Sequence, residues 1–165
     1  MKAFVTGHKG YIGSHLVDVL KQAGHQVTGC DVDLFNGCNW EPVPRADKDL
    51  VKDVRQITVD DLKGHDCVMH LAAISNDPMG ALNAQLTFDI NRDASIRLAQ
   101  LAKKAGVPRY LFAGSCSVYG AGEKLDLDEN DPLNPLTAYA QSKIETEKAV
   151  SELADDLQRS RGGDR

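Results

Sequence analysis

The 165 residues of the chain are enough for one domain with a substantial core and too few for two large ones. The formal net charge is −5 and the basic residues are scattered, which indicates no nucleic-acid partner. No run reaches the roughly 18 apolar residues that a membrane span needs, and the opening MKAFVTG is interrupted too early for a signal peptide. Neither a membrane protein nor a secreted one is expected.

The strands and helices predicted along the chain alternate. Apolar runs predict strands at residues 2–6, 25–31, 49–54, 65–73 and 107–115. Helical spacing of apolar residues predicts helices at 11–23, 83–105 and 136–157, with one or two further turns within 58–64. Strands that are apolar on both faces and alternate with helices indicate an α/β fold, a doubly wound parallel sheet covered on both sides.

The spacing of the cysteines gives no sign of metal or redox chemistry. Four cysteines stand far apart without a C-x-x-C pair: Cys30, Cys38, Cys67 and Cys116. No zinc or other metal site is expected from this pattern. We interpret the four residues as reduced thiols, buried or half-buried, in a cytoplasmic protein.

Three glycines at equal spacing occupy the turn between the first strand and the first helix. They are Gly7, Gly10 and Gly13 in VTGHKGYIGSH. Glycine permits a tight turn and lets a pyrophosphate approach the backbone, and the helix N-terminus that follows attracts anions. The pattern is a variant of the dinucleotide fingerprint, so we expect this turn, including Tyr11 and Ile12, to bind a dinucleotide.

An acidic residue follows the glycine turn at the expected place. Asp31 ends the second predicted strand, where a carboxylate can bind both hydroxyls of an adenine ribose. No arginine follows it to accept a 2′-phosphate, so the sequence favours NAD over NADP. The alternative interpretation of Asp31 is a solvated strand end.

A second group of residues carries catalytic potential. Tyr139 and Lys143 in YAQSK lie four residues apart, on one face of the last helix. A nearby ammonium favours the phenolate form of a tyrosine, which can then accept a hydroxyl proton during hydride transfer. Ser115, after the fifth strand, can bond the reacting oxygen. The alternatives are a surface Tyr–Lys contact and a serine that caps the strand end.

Together these motifs resemble the extended short-chain dehydrogenase/reductase family, in its NAD-dependent sugar epimerase/dehydratase group. The resemblance rests on TGHKGYIG, Asp31, the Asp53–Val54 pair, HLAA, Asn91, SCSVYG and YAQSK, which follow one another in the family's order. It implies a three-layer Rossmann fold of about five strands in the order 3-2-1-4-5. It also implies a nucleotide-sugar substrate, such as a UDP-hexose, and a homodimer.

The resemblance also assigns roles to individual residues. It implies that Ser115 and Tyr139 are the catalytic pair and that Lys143 also holds the nicotinamide ribose. The remaining cofactor residues that it implies are Asp53 and Val54 beside the adenine and Leu71, Ala72 and Ala73 along the cofactor. It leaves His70 and Asn91 with structural roles, and His8 with none.

The residues after Ser115 bear on the reaction type. Family dehydratases usually carry an acid there, whereas this chain has Cys116 and Ser117. This favours an epimerase resembling UDP-glucose 4-epimerases, with residues 74–80 placed to touch substrate. A sugar-nucleotide reductase or dehydrogenase that releases NADH, and a non-catalytic NAD-binding protein, remain alternatives.

The length of the chain departs from the family. Members normally continue into a further domain that grips the sugar nucleotide. We therefore expect an NAD-binding domain at residues 1–157, a disordered tail at 158–165, and no substrate-binding domain. On this interpretation the fifth strand is left as a sheet edge, and the chain binds NAD but converts sugar nucleotides poorly.

Overall fold

The computed structural model describes residues 1–38, 45–120 and 126–154. Its centre is one parallel sheet with the strand order β3-β2-β1-β4-β5. The strands are β1 (Lys2–Thr6), β2 (Gln26–Asp31), β3 (Lys48–Val51), β4 (Cys67–His70) and β5 (Tyr110–Phe112). The predicted fold class and strand order are confirmed.

Helices cover both faces of the sheet. Alternate side chains of β1 point to opposite faces, so each face carries apolar residues that a layer of helices buries. Val5 packs with Val17 of the first helix in one buried cluster, and Phe4 packs with Leu98 in the other. The helices are α1 (Tyr11–Gln22), α2 (Val59–Leu62), α3 (Asp77–Leu82), α4 (Ala84–Thr87), α5 (Ala94–Lys104) and α6 (Ala138–Glu152). None of the helices in the described ranges is long and apolar enough to cross a bilayer.

The prediction of one continuous helix at residues 83–105 is wrong, because the helix is interrupted in its middle. A π-helical turn (Phe88–Asp93) separates α4 from α5. Asn91 lies inside this turn, where its side chain bonds both backbone groups of Ile74 and its carbonyl accepts the Thr146 hydroxyl. These partners come from distant parts of the chain, so the apolar periodicity carries no sign of the turn. The helix α3 before it was also not predicted.

Most strand and helix ends differ from the predicted ones. The strands are shorter than predicted because the apolar runs continue past the last residue that pairs with a neighbouring strand. The fourth strand stops at His70, the last residue with a partner, because β1 ends at Thr6. The third strand stops at Val51, and a 3-10 turn (Val54–Gln56) follows. The fifth strand is three residues long and lies at the edge of the described sheet. The predicted helix end at 157 and the tail lie outside the described residues.

The cysteine prediction is correct for two of the four residues. Cys30 and Cys67 are buried, and burial raises the pKa of the Cys30 thiol to about 12. Cys38 and Cys116 are instead exposed, because Cys38 lies in a loop and Cys116 begins a 3-10 turn, and neither belongs to the core clusters. All four are free of disulfide bonds.

Candidate functional site

The glycine turn joins β1 to α1 through very close backbone contacts. Gly7 adopts a left-handed φ of +69°, and a Cβ there would lie 2.8 Å from the backbone nitrogen of Ala72. A Cβ on Gly13 would lie 2.1 Å from the Gly7 carbonyl oxygen, so no larger residue fits without moving the helix. Gly10 has an ordinary φ of −72°, so the expectation of a special backbone conformation holds for Gly7 and not for Gly10.

The N-terminus of α1 is open to a ligand. Gly10 is the residue that caps it, so no side chain bonds the first amide groups, and the first turn holds no acidic residue. The first amides of a helix lack partners within the helix and attract anions. Tyr11 and Ile12 stand beside this end with 85% and 65% of their surface exposed. The turn therefore fits a pyrophosphate.

Asp31 is anchored by backbone groups. One carboxylate oxygen accepts the Lys9 amide at 3.1 Å, and the other accepts the Asp33 amide at 2.9 Å. Each carboxylate oxygen has two acceptor positions, so both retain capacity for ribose hydroxyls. Asp31 is half-buried. This position differs from the freely solvated strand end that was the alternative interpretation.

The Asp53–Val54 pair begins the turn after β3. Asp53 bonds the Arg55 side chain at 2.7 and 3.0 Å, and this contact holds the pKa of the carboxyl below its usual range. Val54 is buried in the core cluster beneath the turn. The carboxylate therefore already has a cationic partner within the protein.

The segment after β4 lies against the glycine turn. The amides of Leu71 and Ala72 donate to the Thr6 hydroxyl at 3.3 and 3.2 Å, and that hydroxyl bonds His70 Nδ1 at 2.6 Å. His70 Nε2 bonds the Ser95 hydroxyl at 2.7 Å. These buried hydrogen bonds fix the path of the segment that follows β4. Leu71, Ala72 and Ala73 therefore lie at the same end of the sheet as the glycine turn.

His70 has a structural role in this series of hydrogen bonds. Burial and the nearby Lys143 ammonium lower the pKa of His70 to about 3. The Thr6 hydroxyl receives amide protons, so it donates its own proton to His70 Nδ1, and Nε2 carries the imidazole hydrogen. The neutral ring is a fixed connector between β1, β4 and α5, in keeping with the structural role implied for His70.

The Tyr139–Lys143 pair lies at the same end of the sheet, on α6. Lys143 is only 4% exposed, and its ammonium donates to the Ala113 carbonyl at 2.9 Å. The ammonium lies 4.7 Å from the centre of the Phe112 ring and 5.7 Å from that of Tyr139. Burial lowers the pKa of Lys143 to about 8. A buried ammonium beside a phenol is not the surface contact that was the alternative interpretation.

Ser115 follows β5 and begins a 3-10 turn (Cys116–Tyr119). Its hydroxyl lies 2.9 Å from the Ser117 hydroxyl and accepts the Ser117 amide at 3.3 Å. Among the hydrogen bonds of the described residues, none joins Ser115 to Tyr139 or Lys143. The hydroxyl therefore caps the 3-10 turn and not the end of β5 at Phe112, which differs from the strand-end cap held open as an alternative. Ser115 is half-buried at the same end of the sheet as the glycine turn.

Helix α3 supports Tyr139 and was missed from the sequence. Thr137, which caps α6, donates its hydroxyl to the Asp77 carboxylate. A Cβ on Gly80 would lie 3.0 Å from the Tyr139 Cβ, so the two helices meet at the tyrosine. The signal for α3 was available, because Asn76 followed by Asp77-Pro is a typical helix start.

Comparison with known proteins identifies the family to which this site belongs. A family model described as NAD dependent epimerase/dehydratase family matches residues 3–160. The chain belongs to this epimerase/dehydratase family. The family is NAD-dependent, and the glycine turn with its uncapped helix and Asp31 fits that cofactor.

The curated relatives of this family member are longer than the chain. The UDP-glucose 4-epimerase of Lactobacillus helveticus is 34% identical over 156 residues, which are 92% of this chain and 46% of that protein. The putative UDP-glucose 4-epimerase of Methanocaldococcus jannaschii is 33% identical over 150 residues, which are 88% of this chain and 48% of that protein. The chain spans about half the length of the curated relatives it matches.

Two similar solved structures agree with this chain in fold. The NAD-dependent NDP-hexosamine 5,6-dehydratase TunA, involved in tunicamycin biosynthesis, gives a TM-score of 0.83 at 30% identity, with 92% of this chain and 49% of TunA covered. MoeE5 in complex with UDP-glucose and NAD gives a TM-score of 0.80 at 31% identity, with 94% of this chain and 50% of MoeE5 covered.

Proposed function

We propose that the chain carries the cofactor-binding and catalytic residues of an NAD-dependent nucleotide-sugar epimerase of the UDP-glucose 4-epimerase kind. The observation that carries this proposal is the buried Lys143 ammonium, held 5.7 Å from the Tyr139 ring centre. Burying an ammonium is costly unless the charge is paired and hydrogen-bonded, so a lysine kept at such a position indicates a role for its charge. A cation kept beside a phenol, at the sheet end that also bears the glycine turn, is suited to proton transfer from an alcohol.

The cofactor would lie across the carboxyl ends of the strands. Asp31 would bind the adenosine ribose, with Asp53 and Val54 beside the adenine. The pyrophosphate would lie over the glycine turn and the open end of α1. The residues proposed for these contacts and for the nicotinamide half are Gly7, Gly10, Tyr11, Ile12, Gly13, Leu71, Ala72, Ala73, Tyr139 and Lys143.

The reaction divides between the cofactor and three side chains. Bound NAD supplies the hydride acceptor for the sugar carbon. Tyr139, as phenolate, accepts the proton of the sugar hydroxyl, and Ser115 donates a hydrogen bond to the same oxygen. Lys143 stabilises the phenolate, because a charge acts strongly in a site where little water screens it. In the return step Tyr139 gives the proton back, so the site ends in its starting protonation state.

The choice of epimerase rests on the relatives and on one feature of the chain. The curated relatives described above bear the name UDP-glucose 4-epimerase, and MoeE5 binds UDP-glucose together with NAD. Cys116 and Ser117 occupy the positions after Ser115, so no acid is available there for an elimination. A UDP-hexose whose hydroxyl is oxidised and then reduced on the other face needs no such acid.

The test follows the sugar and the cofactor together. The chain, in excess over the sugar so that one slow turnover is detected, is incubated with NAD and UDP-glucose or UDP-galactose. Anomeric proton NMR reports the epimer, and absorbance reports reduced nicotinamide. We expect epimer without net reduction, lost in Tyr139→Phe and retained in Tyr110→Phe, which removes a hydroxyl that bonds the core helix α5. Reduced cofactor that accumulates in proportion to oxidised sugar would favour the dehydrogenase alternative instead.

We also propose a cytoplasmic homodimer. The resemblance implies that the helices equivalent to α5 and α6 pack against their copies, and most symmetric oligomers are two-fold. The two helices lie side by side here. Arg92, in the π-helical turn before α5, donates to Glu145 of α6 at 2.9 Å, and Lys103 of α5 donates to the carbonyl of Leu153, directly after α6, at 2.9 Å. The free cysteines agree with a reducing compartment. Light scattering at micromolar concentration should give the dimer mass, and a monomer mass would contradict it.

A further inference from the structure

Two basic residues fill the first gap of the glycine motif and face the acids of β2 and β3. His8 and Lys9 follow Gly7 directly. Their partners include Asp33, just beyond β2, and Asp49 of β3. We call the five residues His8, Lys9, Asp31, Asp33 and Asp49 the ribose-end cluster.

The Lys9 ammonium is held by two carboxylates of this cluster. It lies 2.8 Å from Asp33 Oδ2 and 3.0 Å from Asp49 Oδ2. The hydrogen bond to Asp33, assisted by Asp49, raises the pKa of Lys9, so the ammonium is charged at neutral pH. The amide of the same residue donates to Asp31. The lysine side chain therefore starts next to the proposed ribose acid and is turned toward two other carboxylates.

His8 fixes the more exposed of these carboxylates. Its Nε2 lies 3.1 Å from Asp49 Oδ1, so Asp49 is shared between His8 and Lys9. The imidazole is 2% exposed and packs on β2 at Gly29, where a Cβ would lie 2.3 Å from the ring. Its Nδ1 is a buried side-chain atom without a hydrogen-bond partner in the described residues. A buried ring that rests on a glycine gives Asp49 a fixed position at the surface.

The charge balance of the ribose-end cluster is negative. Three carboxylates face the one ammonium of Lys9. A 2′-phosphate that bound at Asp31 would meet these carboxylates, and the nearby ammonium would already be neutralised. Replacing Asp33 and Asp49 with neutral residues would have two effects, because it would remove negative charge near the phosphate and free the Lys9 ammonium to bind it.

We propose that Asp33 and Asp49 are specificity-determining residues that exclude NADP by holding Lys9. The inference rests on the proposed placement of the adenosine ribose at Asp31. It adds that Asp31 alone does not set the preference, since a lysine suited to bind a phosphate is already present beside it. In this chain Asp33, just beyond β2, and Asp49 of β3 keep that lysine unavailable.

The test is a set of variants whose NAD and NADP affinities are measured by calorimetry on the 165-residue chain. In Asp33→Asn/Asp49→Asn we expect NADP affinity to rise at least tenfold and NAD affinity to stay within threefold. Adding Lys9→Met should remove most of the NADP gain. All three substitutions leave the backbone amides that bond Asp31 in place, and asparagine tolerates the φ of +58° at Asp33. Circular dichroism and melting curves check that each variant is folded.

Three outcomes would overturn the inference. If the double variant binds NAD normally and gains no NADP affinity, the acids do not set the preference. If the gain in NADP affinity persists in the triple variant, which adds Lys9→Met to the two asparagine substitutions, only the loss of the two negative charges matters and the lysine has no role. If the unmodified chain binds no NAD, the proposed function fails first, and the inference fails with it. The first two results leave the proposed function intact, so the failures are distinguishable.

Discussion

Replacing Lys143 with methionine should stabilise the folded chain. Burial lowers the pKa of Lys143 from 10.5 to about 8, so keeping it charged at neutral pH costs the fold about 3 kcal/mol. Methionine removes that cost, but it also leaves the Ala113 carbonyl without its donor and Phe112 without its cation. Because Phe112 and Ala113 are only half-buried, these losses lie at the low end of their usual ranges and together offset roughly 1.5–2 kcal/mol. The expected net gain is about 1–2 kcal/mol, or a melting temperature higher by roughly 2–8 °C.

The pH dependence of this gain gives a second readout. The folded state releases the Lys143 proton near pH 8 and the unfolded state near 10.5, so the unfolded state binds more protons between these values. The cost in the unmodified protein is therefore fully present below about pH 8 and disappears as the pH rises toward 10.5. Cys30 and Tyr110, whose pKa values are also shifted, titrate in both proteins and cancel in the difference.

The assay is thermal melting by circular dichroism at several pH values, with Lys148→Met as the matched control. Lys148 lies on the same helix but is exposed, so its replacement should change stability by less than about 0.5 kcal/mol. The reasoning is refuted if Lys143→Met lowers the melting temperature. It is also refuted if the difference from the unmodified protein stays constant between pH 7 and pH 10.

The remaining predictions concern packing around the site. Asn91→Ala should destabilise the fold by about 2–3 kcal/mol, because both backbone groups of Ile74 lose their partner, and urea titration should show it; an unchanged midpoint would contradict the structural role. Gly13→Ala should prevent folding or NAD binding, since its Cβ would lie 2.1 Å from the Gly7 carbonyl oxygen, whereas Gly114→Ala, with no atom within 4 Å, should do neither. Equal behaviour of the two alanine variants in NAD calorimetry would be evidence against the close turn.

The part of the fold that was predictable depends on local sequence. The glycine turn, the acid at the end of β2 and the alternation of strands and helices are each contained in a short segment. Gly7 needs its left-handed backbone within one turn, and Asp31 follows directly from the end of an apolar run. The strand order, by contrast, was implied by the family resemblance, because alternation alone predicts a parallel sheet without fixing which strands are neighbours.

The features that were not predictable depend on partners far apart in the chain. The π-helical turn exists through Asn91, whose partners Ile74 and Thr146 lie 17 and 55 residues away. The engagement of Lys9 requires β3 to lie next to β2, which periodicity alone does not reveal. The burial of Lys143 likewise depends on β5 lying beneath α6.

The most direct test of the central claim is an amide NMR titration of the isotopically labelled chain with NAD. The account predicts shifts at residues 7–13, 31 and 71–73, with further shifts near 115 and 139–143. It predicts no shifts at Lys63 and Gly64, which lie near the amino-terminal ends of β1 and β2, at the opposite end of the strands from the glycine turn. Shifts confined to that amino-terminal end, or no shifts at millimolar NAD, would contradict the claim that this chain binds NAD over its glycine turn.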